Sequence, residues 1–136
     1  YLTLLGLTTQ SDRWAGGVAI VPFSDWRSMY TTGGAYYRRY CEYFLGGTPE
    51  TQPVLYRQRS PVTHLAHLKE PVLILTGDDD PNYADVKRFY DLARDMARPV
   101  HLVVQQTGHG TSTVDQMNAE IVHSLDFLDT LDTPCR

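Results

Sequence analysis

Residues 71–76 read Pro-Val-Leu-Ile-Leu-Thr, an apolar run with no polar alternation before its closing threonine. A strand with one wet face alternates apolar and polar positions, so a run of this kind suits a strand covered on both faces, as in the interior of a parallel sheet. Parallel neighbours need long crossovers, usually helices. The downstream sequence supplies them. Residues 85–98 set Val86, Phe89, Tyr90, Leu92, Ala93 and Met96 on one helical face, and residues 100–105 read as another buried strand. Residues 114–131 then place Met117, Ile121, Leu125 and Leu128 on the inner stripe of a closing helix. The predicted class is α/β, with parallel strands flanked by helices.

The first half of the chain extends the same plan. Residues 1–10 are apolar at positions 1, 2, 4, 5 and 7, which predicts a well-buried helix already under way at Tyr1. After a turn at Ser11 and Asp12, residues 14–23 carry Val18, Ile20 and Val21 and predict a buried strand. Residues 25–32 read as a loop. Residues 35–45 space Tyr36, Tyr37, Tyr40, Tyr43 and Phe44 by three and four, predicting an amphipathic helix that ends at Gly46-Gly47. Thr48 is the expected cap of a further helix, with Pro49 at its first position and an end near Arg59. No internal repeat, low-complexity tract or linker interrupts the chain. A strand near Val18 that is apolar on both faces and unpaired on one side is an edge natural proteins avoid, so further sheet is expected upstream of Tyr1.

Composition removes several classes of function. With 12 Lys+Arg against 16 Asp+Glu the net charge is -4, which gives no positive field to attract nucleic acid or anionic lipid. No apolar stretch approaches the roughly 18 residues of a membrane span, and no segment looks like a signal peptide. A soluble chain is expected, with the cytoplasm slightly favoured but the compartment left open, since the absence of a signal says little in a chain that begins at Tyr1. Because the chain begins at Tyr1 rather than Met, its natural start is expected to lie further upstream. The two cysteines, Cys41 and Cys135, make no Cys-x-x-Cys pair and no disulfide framework, and do not fix the redox compartment.

In a doubly wound sheet, chemistry gathers beyond the carboxyl ends of the strands. The three loops there read Pro22-Phe23-Ser24-Asp25-Trp26, Gly77-Asp78-Asp79-Asp80-Pro81-Asn82 and Thr107-Gly108-His109-Gly110. A carboxylate after one strand and a histidine after the next can meet on the same sheet edge. The acid then fixes the imidazole's tautomer, and the imidazole can take a proton from a nucleophile beside it. The alternative is a solvated Asp-Asp-Asp-Pro turn at a helix start and an exposed turn histidine. His64, His67, His101 and His123 read as structural. A metal site from the aspartates and His109 ranks far below, because no second close pair of ligands is present.

The segments SDWRSMY, YYRRYCEYFLGGTPE, LYRQRSPVTHLAHLKEPVLILTGDDDP and GHG resemble, in order and spacing, the C-terminal part of the peptidase domain of prolyl oligopeptidase family serine hydrolases. The acylaminoacyl and dipeptidyl peptidase branches are the nearest likeness, over residues 1–131. The resemblance implies the C-terminal part of an α/β-hydrolase fold, with Asp80 as the triad acid and His109 as the histidine, and it implies no cofactor. Asp78 and Asp79 fall at positions that are not the triad acid. The family's serine lies in a Gly-x-Ser-x-Gly-Gly elbow before a helix like residues 1–9, so it would fall four residues before Tyr1. The oxyanion hole would be missing as well. Ser11, Ser24, Ser28, Ser60, Ser112 and Ser124 have no elbow-like setting.

By the same resemblance Phe23, Trp26 and Tyr30 correspond to an aromatic wall for the substrate side chain on the acyl side, and Asn82 to an amide that holds a substrate carbonyl. Core packing for Phe23 and helix capping for Asn82 are the alternatives. Tyr83-Ala84 departs from the family's Val-Pro. The implied function is that of a fragment of a serine-type peptidase acting on peptide or acyl-peptide bonds through an acyl-enzyme, residues 1–136 forming a partial catalytic domain without the nucleophile elbow. An esterase of the same fold, or a non-catalytic piece that completes a partner's sheet, remains open. The family often has a β-propeller before this domain.

Overall fold

In the computed structural model, which describes residues 1–131, the apolar run becomes the central strand of a three-stranded parallel sheet. Strand β1 is Gly17–Ile20, β2 is Val72–Gly77 and β3 is Val100–Gln105, in the order β1-β2-β3. Gly17 pairs with Val72, and β2 runs beside β3 from Val72 opposite Val100 to Gly77 opposite Gln105. Every residue of β2 is buried, as its lack of polar alternation requires. The helices are α1 (Leu2–Thr9), α2 (Trp26–Thr32), α3 (Gly34–Leu45), α4 (Pro53–Arg59), α5 (Tyr83–Asp95) and α6 (Val114–Asp129), with short 3₁₀ turns at Ser11–Arg13 and Pro61–His67.

The pleat of β2 divides its side chains between two layers. On one face Val72 and Ile74 meet Leu4 and Leu7 of α1, Leu65 and Leu68, and Val86, Phe89 and Ala93 of α5. On the other, Leu73 and Leu75 meet Phe127 of α6, with Val18, Val103 and Leu131 around them. Each large side chain buried in this way contributes about 1.5–3 kcal/mol. A separate cluster of Trp26, Met29, Cys41, Leu45 and Tyr56 lies in the helical excursion between β1 and β2. Burial pushes the Cys41 thiol up to about 11, so it stays protonated and unreactive at neutral pH. Cys135 lies outside the described residues.

Several local expectations are corrected. Residues 26–32 form helix α2 in place of the loop expected over 25–32, because the Asp25 carboxylate accepts the Arg27 amide at 2.9 Å and caps a turn that buries Trp26 and Met29. Thr48 does not start a helix. Its hydroxyl closes a turn by accepting from the Glu50 and Thr51 amides, and α4 begins at Pro53, whose missing N–H suits a first helical position. In α3 the buried residues are Cys41 and Leu45, whereas Tyr36 and Tyr43 are 74% and 84% exposed. On α5 the core stripe is narrower than expected, with Leu92 exposed and Met96, also exposed, lying just past the helix end. Strand β3 is only partly buried because it lies at the sheet edge, leaving His101 and Val104 exposed.

The largest correction falls on α6. Met117, Ile121, Leu125 and Leu128 are all exposed, and Phe127 alone of this helix is buried, with the His101 ring 5.9 Å away. The helix touches the sheet near its C-terminal end, so the stripe read from periodicity faces away from the strands of this chain. Phe127→Ala is therefore expected to destabilise the folded chain by about 3–4 kcal/mol in a denaturant titration, while Leu125→Ser stays within about 0.5 kcal/mol. A larger loss from Leu125→Ser than from Phe127→Ala would show that the stripe, not Phe127, holds the helix.

Candidate active site

The carboxyl ends of β1, β2 and β3 lie along one edge, so the three loops after them converge. The loop after β2 divides its aspartates by environment. Asp78 and Asp79 are exposed, and Asp80 is buried with its side chain fully shielded from solvent. The Asp78 carboxylate accepts the Thr107 amide at 3.2 Å, and the Asp79 amide donates to the Thr107 carbonyl at 3.1 Å, tying this loop to the one after β3. Asp80 faces inward. Its Oδ1 accepts the Asn82 amide at 2.6 Å, which shapes the turn into α5, and its Oδ2 lies 3.0 Å from Nδ1 of His109. One carboxylate thus sets both a helix start and an imidazole.

His109 sits between Gly108 and Gly110 with its side chain 55% exposed. With Nδ1 turned to Asp80, Nε2 is left for a reacting group. The loop is anchored at its far end by a capping box, in which the Thr113 hydroxyl accepts the Gln116 amide and the Gln116 side chain returns to the Thr113 amide. Gln116 Nε2 also donates to the Gln106 carbonyl at 3.1 Å. On the near side the backbone of Thr107 and Gly108 passes directly over Gly77, where a Cβ would overlap both carbonyl oxygens. Glycine at the end of β2 is what lets the two loops touch.

The loop after β1 leaves the sheet through Val21, a β-branched residue at φ 41° whose amide still donates to Leu75 at 2.8 Å. Such a conformation is strained for valine and persists only where its surroundings fix it. It throws Phe23 against Tyr1, with the rings stacked at 4.6 Å. Phe23, Asn82 and His109 share one groove of about 330 Å³, together with Tyr1, Met29, Tyr36, Tyr37 and Tyr40. Trp26 does not line this groove. It is buried behind Phe23 and Tyr1, edge-on to both, and stacks on Tyr40 at 6.0 Å. Tyr30 is directed away, its hydroxyl donating to Glu42 at 2.9 Å, and that carboxylate holds the phenol above its ordinary pKa.

Tyr36, Tyr37 and Tyr40 were legible only as one side of an amphipathic helix; nothing in their spacing marks them as a groove wall. Two larger concavities, of about 400 and 420 Å³, lie elsewhere, the first around Arg27, Arg57 and Thr63 and the second between α1 and β1. Neither contains His109. The smaller groove is the better candidate because it holds His109, backed by the buried Asp80, together with Asn82. Among the described residues no group of three His, Cys, Asp or Glu could hold a metal ion, and no helix is long and apolar enough to cross a membrane.

Residues 1–132 match the sequence pattern of the Prolyl oligopeptidase family. Dipeptidyl aminopeptidase BIII of Pseudoxanthomonas mexicana is 29% identical over 117 residues, which is 81% of this chain and 17% of that protein. Among solved structures, acylaminoacyl peptidase of Pyrococcus horikoshii superposes with a TM-score of 0.78 at 22% identity, covering 95% of this chain and 21% of that one. Dipeptidyl peptidase 4 of Porphyromonas gingivalis gives 0.80 at 20% identity, covering 94% and 18%. A puromycin hydrolase gives 0.81 at 24%, covering 93% and 20%. These likenesses establish the α/β-hydrolase fold, and the chain spans about a fifth of the length of the relatives it matches.

Proposed function

This chain belongs to the prolyl oligopeptidase family, and from that premise we propose that it is the acid- and histidine-bearing part of a serine-type peptidase domain acting on peptide or acyl-peptide bonds. The observation that carries the reading is the 3.0 Å contact between Asp80 Oδ2 and His109 Nδ1, made by a fully shielded carboxylate to a half-exposed ring. A solvated turn would leave all three aspartates in water. Asp80 accepts the Nδ1–H, which fixes the tautomer with a free lone pair on Nε2. His109 then removes the proton of a serine hydroxyl as it attacks the scissile carbonyl, and returns that proton to the leaving amine as the acyl-enzyme forms. A water, deprotonated by the same nitrogen, then attacks the acyl carbon, and the proton passes to the departing serine oxygen as the acid is released. Among the described residues no hydroxyl bonds to His109, and the nucleophile is assigned to a Gly-x-Ser-x-Gly elbow outside residues 1–136.

Phe23 and the tyrosines of α3 supply apolar faces suited to a hydrophobic or proline-like group, and the Asn82 amide is a candidate partner for a substrate carbonyl. Trp26 acts on this wall from behind rather than by touching substrate, and Tyr30 supports it through Glu42. A fluorophosphonate probe tests the assignment. The 136-residue chain is expected to remain unlabelled, and a chain extended upstream through the elbow to label once, on the elbow serine. Labelling of a serine within residues 1–136, or none in the extended chain, would overturn the reading.

A further inference from the structure

We propose that Arg88 is a positioning residue of the groove, clamping the Ser24–Trp26 loop to α5 and so fixing Phe23 relative to Asn82. The consequence for substrate rests on the hydrolase reading above; the clamp itself rests on geometry. A single guanidinium nitrogen, Nη2, lies 2.7 Å from Asp25 Oδ2 and 3.2 Å from Asp85 Oδ1. The other oxygen of Asp85 accepts the Ser24 amide at 2.6 Å, and the other oxygen of Asp25 caps α2. The chain from Phe23 to Trp26 is thereby tied to α5 by two carboxylates that meet at one cation. Helix α5 begins directly after Asn82, so it acts as a rigid bar between the two sides of the groove.

The carboxylates need that cation. The side chains of Asp85 and Asp25 are 7% and 20% exposed, and two shielded negative charges at one place repel unless a positive group lies between them. Burial alone would lower the Arg88 pKa, but the two acids outweigh it and raise it, so the charge is held on. The opposite side of the loop is fastened independently. Ser60 Oγ accepts the Trp26 amide at 3.0 Å, and the Val62 amide donates to the Ser24 carbonyl at 3.1 Å. Losing Arg88 therefore removes the Asp25 tether to α5 and leaves Asp85, which still accepts the Ser24 amide, facing a second carboxylate without a cation. The loop loosens on the α5 side while it stays hinged on Ser60 and Val62, which moves Phe23 without unfolding the domain.

The test compares Arg88→Met, which keeps the stem, with Arg88→Lys in the intact protein that carries this chain. In Arg88→Met, hydrogen exchange over residues 22–27 should accelerate at least about tenfold while β2 is unchanged. KM for substrates with a bulky acyl-side residue should rise about tenfold, with kcat and fluorophosphonate labelling within about threefold of wild type. Because one nitrogen makes both contacts, a lysine ammonium can replace it, and Arg88→Lys should restore exchange and KM together. Unchanged exchange at 22–27 in Arg88→Met overturns the clamp, and faster exchange with unchanged KM overturns its effect on the groove. Parallel loss of kcat and labelling overturns a positioning role. If wild-type protein itself does not label, the hydrolase reading has failed, and the exchange comparison alone decides the clamp.

Discussion

Replacing His109 by alanine in the intact protein should lower kcat/KM on an amide substrate with a chromogenic leaving group by about 10⁴–10⁶, with little change in KM. In the proposed mechanism a single ring both removes the nucleophile's proton and returns it to the amine, so its loss removes both steps. Asp80→Asn should cost about 10³–10⁴. Asparagine keeps an oxygen for the Asn82 amide, so the turn into α5 survives. Facing His109, however, its NH₂ group would meet Nδ1 as a donor and force the proton onto Nε2, the nitrogen that must stay free. Asp79→Asn should change the rate less than about threefold, since that side chain is exposed while Asp80 makes the ring contact. The three variants separate a triad from a generally acidic loop. Full activity in His109→Ala would remove the general base, and equal losses from Asp79→Asn and Asp80→Asn would remove the assignment of the acid.

Gly77→Ala is expected to be damaging as well, though position 77 has no reactive group. A methyl there collides with the backbone carbonyls of Thr107 and Gly108, neither of which can rotate away as a side chain would. The strand end is held by pairing with Gln105, so the yielding part is the loop that carries His109. Overpacking of this kind destabilises by about 1–3 kcal/mol. A displacement of about 1 Å at the histidine should lower kcat by about 10² while KM moves little, since Phe23 and Asn82 belong to other loops. Thermal unfolding and kcat measured on one preparation distinguish the two effects. A variant with wild-type kcat and stability would show that the close crossing at Gly77 is not what sets the His109 loop.

Much of the sheet was written into local pattern. The unalternated run 71–76 demanded two covered faces, and β2 is buried at every position for that reason. The helices before and after it followed from periodicity, and the order of strands and helices was read correctly. Periodicity failed where an apolar stripe was assumed to find a partner. Four aliphatic and thioether side chains of α6 and the aromatic face of α3 repeat as core residues do, yet they stand largely in solvent in this chain. The seven-residue helix α2 was also missed, because so short a segment shows barely two turns of pattern and its start depends on the Asp25 cap.

The site divides the same way. The sequence determined which chemistry was at hand: an acid-rich turn after one strand, a histidine between glycines after the next, and aromatic residues after the first, all assigned to one sheet edge by strand order. Local pattern alone could not tell which of three adjacent aspartates faced inward, and only the family resemblance singled out Asp80, since the choice depends on contacts with Thr107 and His109, some 29 residues away. Nor could it separate Phe23, on the groove, from Trp26 behind it and Tyr30 turned to Glu42. Gly77, Asp85 and Arg88 carried no local signal, because their roles lie in what crosses them from distant parts of the chain. Local pattern records each residue's own backbone preference and burial, whereas a site is made of distances between segments, and those exist only once the sheet has brought the segments together.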